Sequence, residues 1–214
     1  MKKRGSDTAF LKTAGQRGPV EHDRRAQIVE AADMHFRHYG YHKTTVADLA
    51  KATDLSTAYI YKFFESKQAI GEAICARCLD RISEALGNIG YDHAPAADRL
   101  RRMYKSVAKE SVHRFFNDRW LHDIVNIARE GRWQVENDHR AAVLELILHV
   151  LEEGRAAGEF ETASSIVKTS RAVAQTFQLV SHPVLLEEDL DGLDERADEI
   201  SALVLRALIA KSDL

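Results

Sequence analysis

Between Lys43 and Lys67 the chain places hydroxyl, phenol, methyl and ammonium groups at the starts and outer sides of short segments. Thr57, Ala58, Tyr61 and Lys62 point away from a set formed by Leu55, Ile60 and Phe64, of which Ile60 and Phe64 are four apart. These groups suit nucleic acid. A Thr hydroxyl can hydrogen-bond a base edge and an Ala methyl can touch a thymine methyl. Phenols and amines reach base or backbone and fix register on phosphates. Lys43, Thr44, Thr45, Ser56 and Tyr59 extend the set. Lys67 adds a cation beside the positive dipole end of the following helix, so both favour phosphate.

Other combinations carry less chemistry. Cys75 and Cys78 form a CxxC, but zinc needs about four ligands and no second cysteine pair exists. The spacing of His35, His38 and His42 reads as solvated surface. No Gly-x-Ser-x-Gly nucleophile motif accompanies His122-Asp123. No catalytic residues, metal site or cofactor are expected, and the chain is not expected to be an enzyme.

The elements that position the outward groups read as helices throughout. Ile28, Ala31, Ala32, His35, Phe36 and Tyr39 mark one face of a helix from about Asp23, closed by Gly40. Thr45 with Asp48 three residues on forms a capping box for a brief second helix. "TDLS" then breaks the pattern. Ser56 caps a third helix to about Phe64, and Ser66 caps a fourth from Lys67 to about Leu86. "GNIGYDHAP" reads as a linker. Later helices are expected from Pro95 to about Phe116, over "DRWLHDIVNIARE", and from Gln134 to Ala157. Two more are expected over Thr162–Ser181 and Asp189–Lys211. No strand pattern persists, so the expected fold is all-α with about nine helices.

The 214 residues are 45% hydrophobic and 29% charged, enough for a sizeable core. Net charge is −3, unevenly spread: residues 1–70 carry about +4 and the remainder about −7. That split fits a nucleic-acid-binding head on an acidic body. No apolar run reaches about 18 residues, and the basic N-terminus lacks a signal-peptide core. A cytoplasmic location without membrane contact is therefore expected.

Two short helices joined by a tight turn, after a longer packing helix, make a helix-turn-helix candidate at about 45–64. Over "RAQIVEAADMHFRHYGYHKTTVADLAKATDLSTAYIYKFFESKQAI" the sequence resembles the TetR family of transcriptional regulators. Phe36 and Gly40-Tyr41, the pair Thr44-Thr45, and Tyr61, Phe64 and Lys67 as Tyr-x-x-Phe-x-x-Lys carry the match. Asp54 stands where the family turn normally has Gly, so a positive φ is expected there.

Residues 1–21, polar and without periodicity, read as a disordered basic arm; the resemblance implies a DNA-binding head (22–82) and a regulatory, dimerising body (83–214). It implies a homodimeric repressor released from a double-stranded operator by a small-molecule effector. The alternative is a regulator controlled by a protein partner or by no ligand. Two heads roughly 34–36 Å apart would read successive major grooves. Family members dimerise through their last two helices, which places Val173, Phe177, Val180, Leu203, Val204 and Ala207 at the interface. Met103, Trp120, His122, Trp133 and Phe177 are large groups where such regulators hold an inducer, which suggests a mostly apolar or aromatic effector.

Overall fold

The computed structural model describes residues 19–117, 119–182, 185 and 192–209; side chains are described except at 19–20 and 113–122. The fold is all-α. Nine α-helices occur among the described residues, with one 3₁₀ turn at Phe177–Val180. They are α1 (Pro19–Tyr39), α2 (Val46–Ala52), α3 (Thr57–Ile60), α4 (Lys67–Gly90), α5 (Ala96–Asn117), α6 (Arg119–Glu130), α7 (Gln134–Ala156), α8 (Ile166–Thr176) and α9 (Leu193–Leu208).

Local chemistry sets most boundaries. Pro19 occupies the first position of α1, where its missing N–H costs nothing. Gly40 ends that helix at φ +84° and donates its N–H to the Phe36 carbonyl at 2.8 Å. In α2 the capping box is complete: Thr45 N–H donates to Asp48 Oδ2 at 2.9 Å, and Asp48 N–H donates to Thr45 Oγ1 at 3.2 Å. Ser56 and Ser66 accept from the N–H groups of Tyr59 and Ala69, each at 3.1 Å.

Four boundaries differ from the sequence reading: α1 begins at Pro19, four residues before the expected Asp23. α3 ends at Ile60 rather than near Phe64 and continues as turns through Phe63. Phe64 still reaches the core, because its N–H bonds the Ile60 carbonyl at 3.1 Å. The supposed linker after Leu86 stays helical to Gly90, and Leu146 of α7 crosses over that glycine so closely that a Cβ would collide with it. Over Thr162–Ser181 the helix is shorter: α8 starts at Ile166 and narrows to the 3₁₀ turn at Phe177. The proposed N-terminal arm, apart from residues 19–21 in α1, lies outside the described residues, as do Pro183 and the start expected at Asp189.

Two hydrophobic cores form. The first gathers Ile28, Ala32 and Phe36 of α1 with Leu49, Ile60, Phe64 and the first half of α4. Tyr39 departs from the expected inward stripe and lies 54% exposed, because it falls beyond the turn that Phe36 buries. The second core joins α5, α7, α8 and α9 around Leu100, Met103, Tyr104, Ile147, Val150 and Phe177. α4 serves both, with Leu79 in the first and Ile82 in the second. α6 lends Ile124, Val125 and Ala128 to the first core, and the α6–α7 corner lends Trp133. The first core is therefore completed by residues far along the chain.

Candidate nucleic-acid interface and body cavity

The outward face of the first three helices rests on tightly fixed turns. After α2 the chain reverses through Asp54 at φ +54°. Leu55 N–H reaches the Ala50 carbonyl at 2.9 Å and Asp54 N–H the Lys51 carbonyl at 3.4 Å, the two bonds of a Schellman turn. Aspartate tolerates this left-handed conformation better than most residues with a Cβ. Ile60 and Phe64 are buried and Leu55 is half-buried, so α3 is anchored on one side. Arg25 of α1 lies over the Phe64 ring at 4.7 Å and seals that anchor.

With that side buried, Ala58, Tyr61 and Lys62 are exposed and Thr57 is half-buried. Tyr61 is 50% exposed. Tyr59 is half-buried: its ring meets Phe63 edge-on at 5.3 Å, and the Lys62 ammonium lies 5.4 Å from its centroid. Tyr59 is thus a platform that steers the Lys62 cation. Ser56, Lys43 and Thr45 are exposed nearby. The Thr45 hydroxyl also donates to Asp48 at 2.6 Å, and that bond together with the one from the Thr45 N–H holds the Asp48 carboxyl below the ordinary carboxylate range.

Two members of the expected set are placed inward. Thr44 is 1% exposed, and its hydroxyl donates to the Gly40 carbonyl at 2.9 Å. It closes the turn after α1 and presents no hydroxyl to the surface. Lys67 turns back on the same turn: Nζ donates to the carbonyls of Tyr41 and Thr44, each at 3.0 Å, and lies 4.4 Å from the Tyr41 ring centroid. Burial lowers its pKa. Its ammonium is a clamp between α4 and the turn that leads into α2.

In the body, a cavity of about 310 Å³ lies where the two cores meet. Leu79 and Val125 of the first core and Ile82, Leu86, Val107 and Phe177 of the second form its apolar wall. Arg129, Glu136, His139, Arg140 and Arg171 supply its polar side. Of the residues expected at an effector site, Phe177 alone among the described ones lines this cavity. Met103 is fully buried core. Trp133 is buried against Tyr41 and over Gly71, where an added Cβ would lie 2.6 Å from its ring. The side chains of Trp120 and His122 lie outside the described residues.

The sequence reading missed Arg129 and Glu136. Their only signal was a pair of opposite charges flanking the Gly131 break, a weak pattern in a charged chain. Val173, Phe177 and Val180, expected at an interface, belong to the body core: Tyr104 stacks on Phe177 at 4.0 Å, and Val180 is fully buried. One stripe of α8 faces inward, so the opposite stripe is outside. Val167 is exposed there, as are Leu179 on the 3₁₀ turn that follows and Leu203 and Ala207 on α9, with Val204 half-buried.

Among the described residues, no group of three or more His, Cys, Asp or Glu side chains is placed to hold a metal ion. Cys75 is buried in the first core and Cys78 is half-buried. No helix among the described residues is long and apolar enough to cross a membrane.

Comparison with known proteins agrees with this architecture. Residues 28–74 match the family model described as bacterial regulatory proteins, tetR family. Residues 96–201 match the tetracyclin repressor-like C-terminal domain. The chain is 22% identical over 178 residues to the uncharacterized HTH-type transcriptional regulator YhgD of Bacillus subtilis (strain 168), covering 81% of this chain and 93% of that protein. It shares its fold with FadR from Bacillus subtilis, solved in complex with stearoyl-CoA: TM-score 0.64, 20% identity, 84% of this chain and 97% of the other. It shares it also with SmeT, the repressor of the Stenotrophomonas maltophilia multidrug efflux pump SmeDEF: TM-score 0.66, 16% identity, 88% and 91% covered.

Proposed function

Because the chain belongs to the TetR family of DNA-binding transcriptional regulators, we propose that it acts as a homodimeric repressor released from its operator by a small molecule. The observation that carries this reading is the position of the cavity. Its wall is shared between the core that anchors α3 and the core of the body. A ligand that fills it bears on α4 and α6 together, the two helices on which the head is seated. It shifts the equilibrium only by its difference in affinity between the DNA-competent and incompetent arrangements.

Ser56, Thr57, Ala58, Tyr61 and Lys62 form the DNA-facing surface in this reading, with Tyr59 supporting Lys62 and with Lys43 and Thr45 at the edge. Thr44 and Lys67 act by fixing the turn before α2. Two copies join through the outer sides of α8 and α9, where Val167, Leu179 and Leu203 expose large apolar groups that a monomer would leave in water. In this reading the head passes into the body on α4, and the change-over between the two cores from Leu79 to Ile82 supports that boundary.

The test is a gel-shift selection from random DNA followed by titration of the enriched site at about 0.1 M salt. Sequence-selective binding that falls steeply with added salt is expected. Equal binding to the selected and scrambled duplexes would overturn the DNA-reading surface. Effector control is tested by screening small molecules for release of that duplex.

A further inference from the structure

We propose that the body cavity takes an amphipathic anion: a hydrocarbon or aryl group ending in one carboxylate-like head, received by Arg129. The inference rests on the effector reading above and adds the ligand's charge and size.

Arg129 carries the argument. Its Nε and Nη1 are buried, and no protein acceptor hydrogen-bonds either one. The nearest carboxylate, Glu136, has Oε1 3.5 Å from Nε, an ion pair outside hydrogen-bond geometry. Arg129 as a whole is half-buried, but buried donors left unmet on a charged group are costly, more so than on a neutral one. Water can meet them; a carboxylate meets them with opposite charge and a stronger bond.

The surrounding charge points the same way. Arg129, Arg140 and Arg171 border the cavity against the single carboxylate of Glu136, an excess of two positive charges. Glu136 is itself divided, because its Oε2 lies 3.8 Å from Arg140. The Nδ1 of His139 lies 2.9 Å from the Ser83 hydroxyl. A neutral guest leaves this excess unmatched, and a cation is repelled by it. Leu79, Ile82 and Leu86 of α4 line the same cavity with hydrocarbon. A volume of about 310 Å³, at about 30 Å³ per water-sized group, holds about ten non-hydrogen atoms. That matches a medium-chain or aryl-alkanoic acid.

The experiment is calorimetric titration of the full chain, without DNA, with decanoate, 1-decanol, decyltrimethylammonium and decanoyl-coenzyme A. Decanoate is expected to bind at least about tenfold more tightly than decanol, and the cation more weakly still. Arg129→Gln should weaken decanoate by about tenfold and leave decanol within about twofold. Glu136→Gln removes the competing carboxylate and should tighten decanoate. Equal affinity for decanoate and decanol, no binding of decanoate, or binding of the coenzyme A thioester alone would each overturn the proposal. So would decanoate binding that Arg129→Gln leaves intact. If that variant does not fold, the decanoate-to-decanol ratio of the unaltered chain and the direction of the Glu136→Gln effect decide. Decanoate that binds without releasing the operator duplex contradicts effector control and leaves the ligand class standing. Release by a neutral compound, with no decanoate binding, does the reverse.

Discussion

The indole of Trp133 sits 5.4 Å from the ring of Tyr41, so the corner between α6 and α7 forms part of the core beneath α2 and α3. Trp133 holds the N-cap position of α7 but makes no side-chain cap hydrogen bond. A cap residue would be Ser, Thr, Asp or Asn; here packing has displaced capping. The turn that aims the indole uses Arg132 at φ +50°, with the Trp133 N–H bonded to the Ala128 carbonyl at 2.8 Å. Removing the ring in Trp133→Ala should destabilise by about 3–5 kcal/mol. Gly71→Ala drives a methyl into the same ring and should cost about 1–3 kcal/mol. Thermal or denaturant unfolding checks both. If Gly71→Ala unfolds at the unaltered midpoint, the indole does not rest on that glycine.

Lys62 and Lys67 are both near the proposed DNA-facing surface, and they should fail in different ways. Lys67 donates to two carbonyls of the turn before α2, so Lys67→Met should lower stability by about 2 kcal/mol. Its effect on DNA binding follows from the loosened turn. Lys62 rests over Tyr59 at the surface, and Lys62→Ala should leave the melting temperature nearly unchanged. It should weaken binding to all sequences and reduce the slope of log K against log salt by about one. Melting curves and salt titrations of the two variants, side by side, separate the roles. A melting temperature in Lys67→Met equal to that of the unaltered chain would return this residue to the phosphate-facing set.

Acid should loosen the start of α2. Hydrogen bonds from the Thr45 hydroxyl and then the Thr45 N–H lower the folded-state pKa of Asp48. A carboxyl with a lowered folded pKa binds fewer protons folded than unfolded. Its stabilisation is complete above the unfolded value of about 3.9 and is lost as pH falls through the folded value. Glu153, lowered chiefly by its bond from Arg99, has the same sign. The informative quantity is therefore the difference in melting temperature between the unaltered chain and Asp48→Asn. That gap should hold from pH 7 to about 5 and narrow below about 4. A gap that widens with acid contradicts the assigned bond.

Caps, glycine stops and the inward set Leu55, Ile60 and Phe64 in and around α3 were legible in the sequence because each is a local signal. Thr45, Ser56, Ser66 and Gly40 act within one turn of their own position. Asp54 at positive φ followed from the resemblance, because it stands where the family turn has Gly. The misplacements share a cause: they depend on which distant segment covers a residue. Thr44 has the composition of a phosphate contact, yet its hydroxyl is covered once the turn folds onto Gly40. Trp133 has the bulk of a pocket residue, yet the nearest bare backbone is Gly71 of α4. Periodicity marks a stripe on α8 but not what lies against it, and here that is Tyr104.

That same stripe yields the sharpest test of assembly. Val173 and Val180 are buried within the monomer, whereas Leu203 is 62% exposed on α9. A charge at a buried valine must be desolvated without a partner, so Val173→Asp should unfold the body at any protein concentration. A charge at Leu203 stays in water in the monomer and is desolvated only when a second copy covers it. Leu203→Glu should therefore sediment as a folded monomer with unchanged helicity, where the unaltered chain is expected to sediment as the proposed dimer. It should lose most of its affinity for a two-half-site operator, since each head alone reads only one groove. A Leu203→Glu protein that remains dimeric and binds operator normally would place the interface away from the outer side of α9.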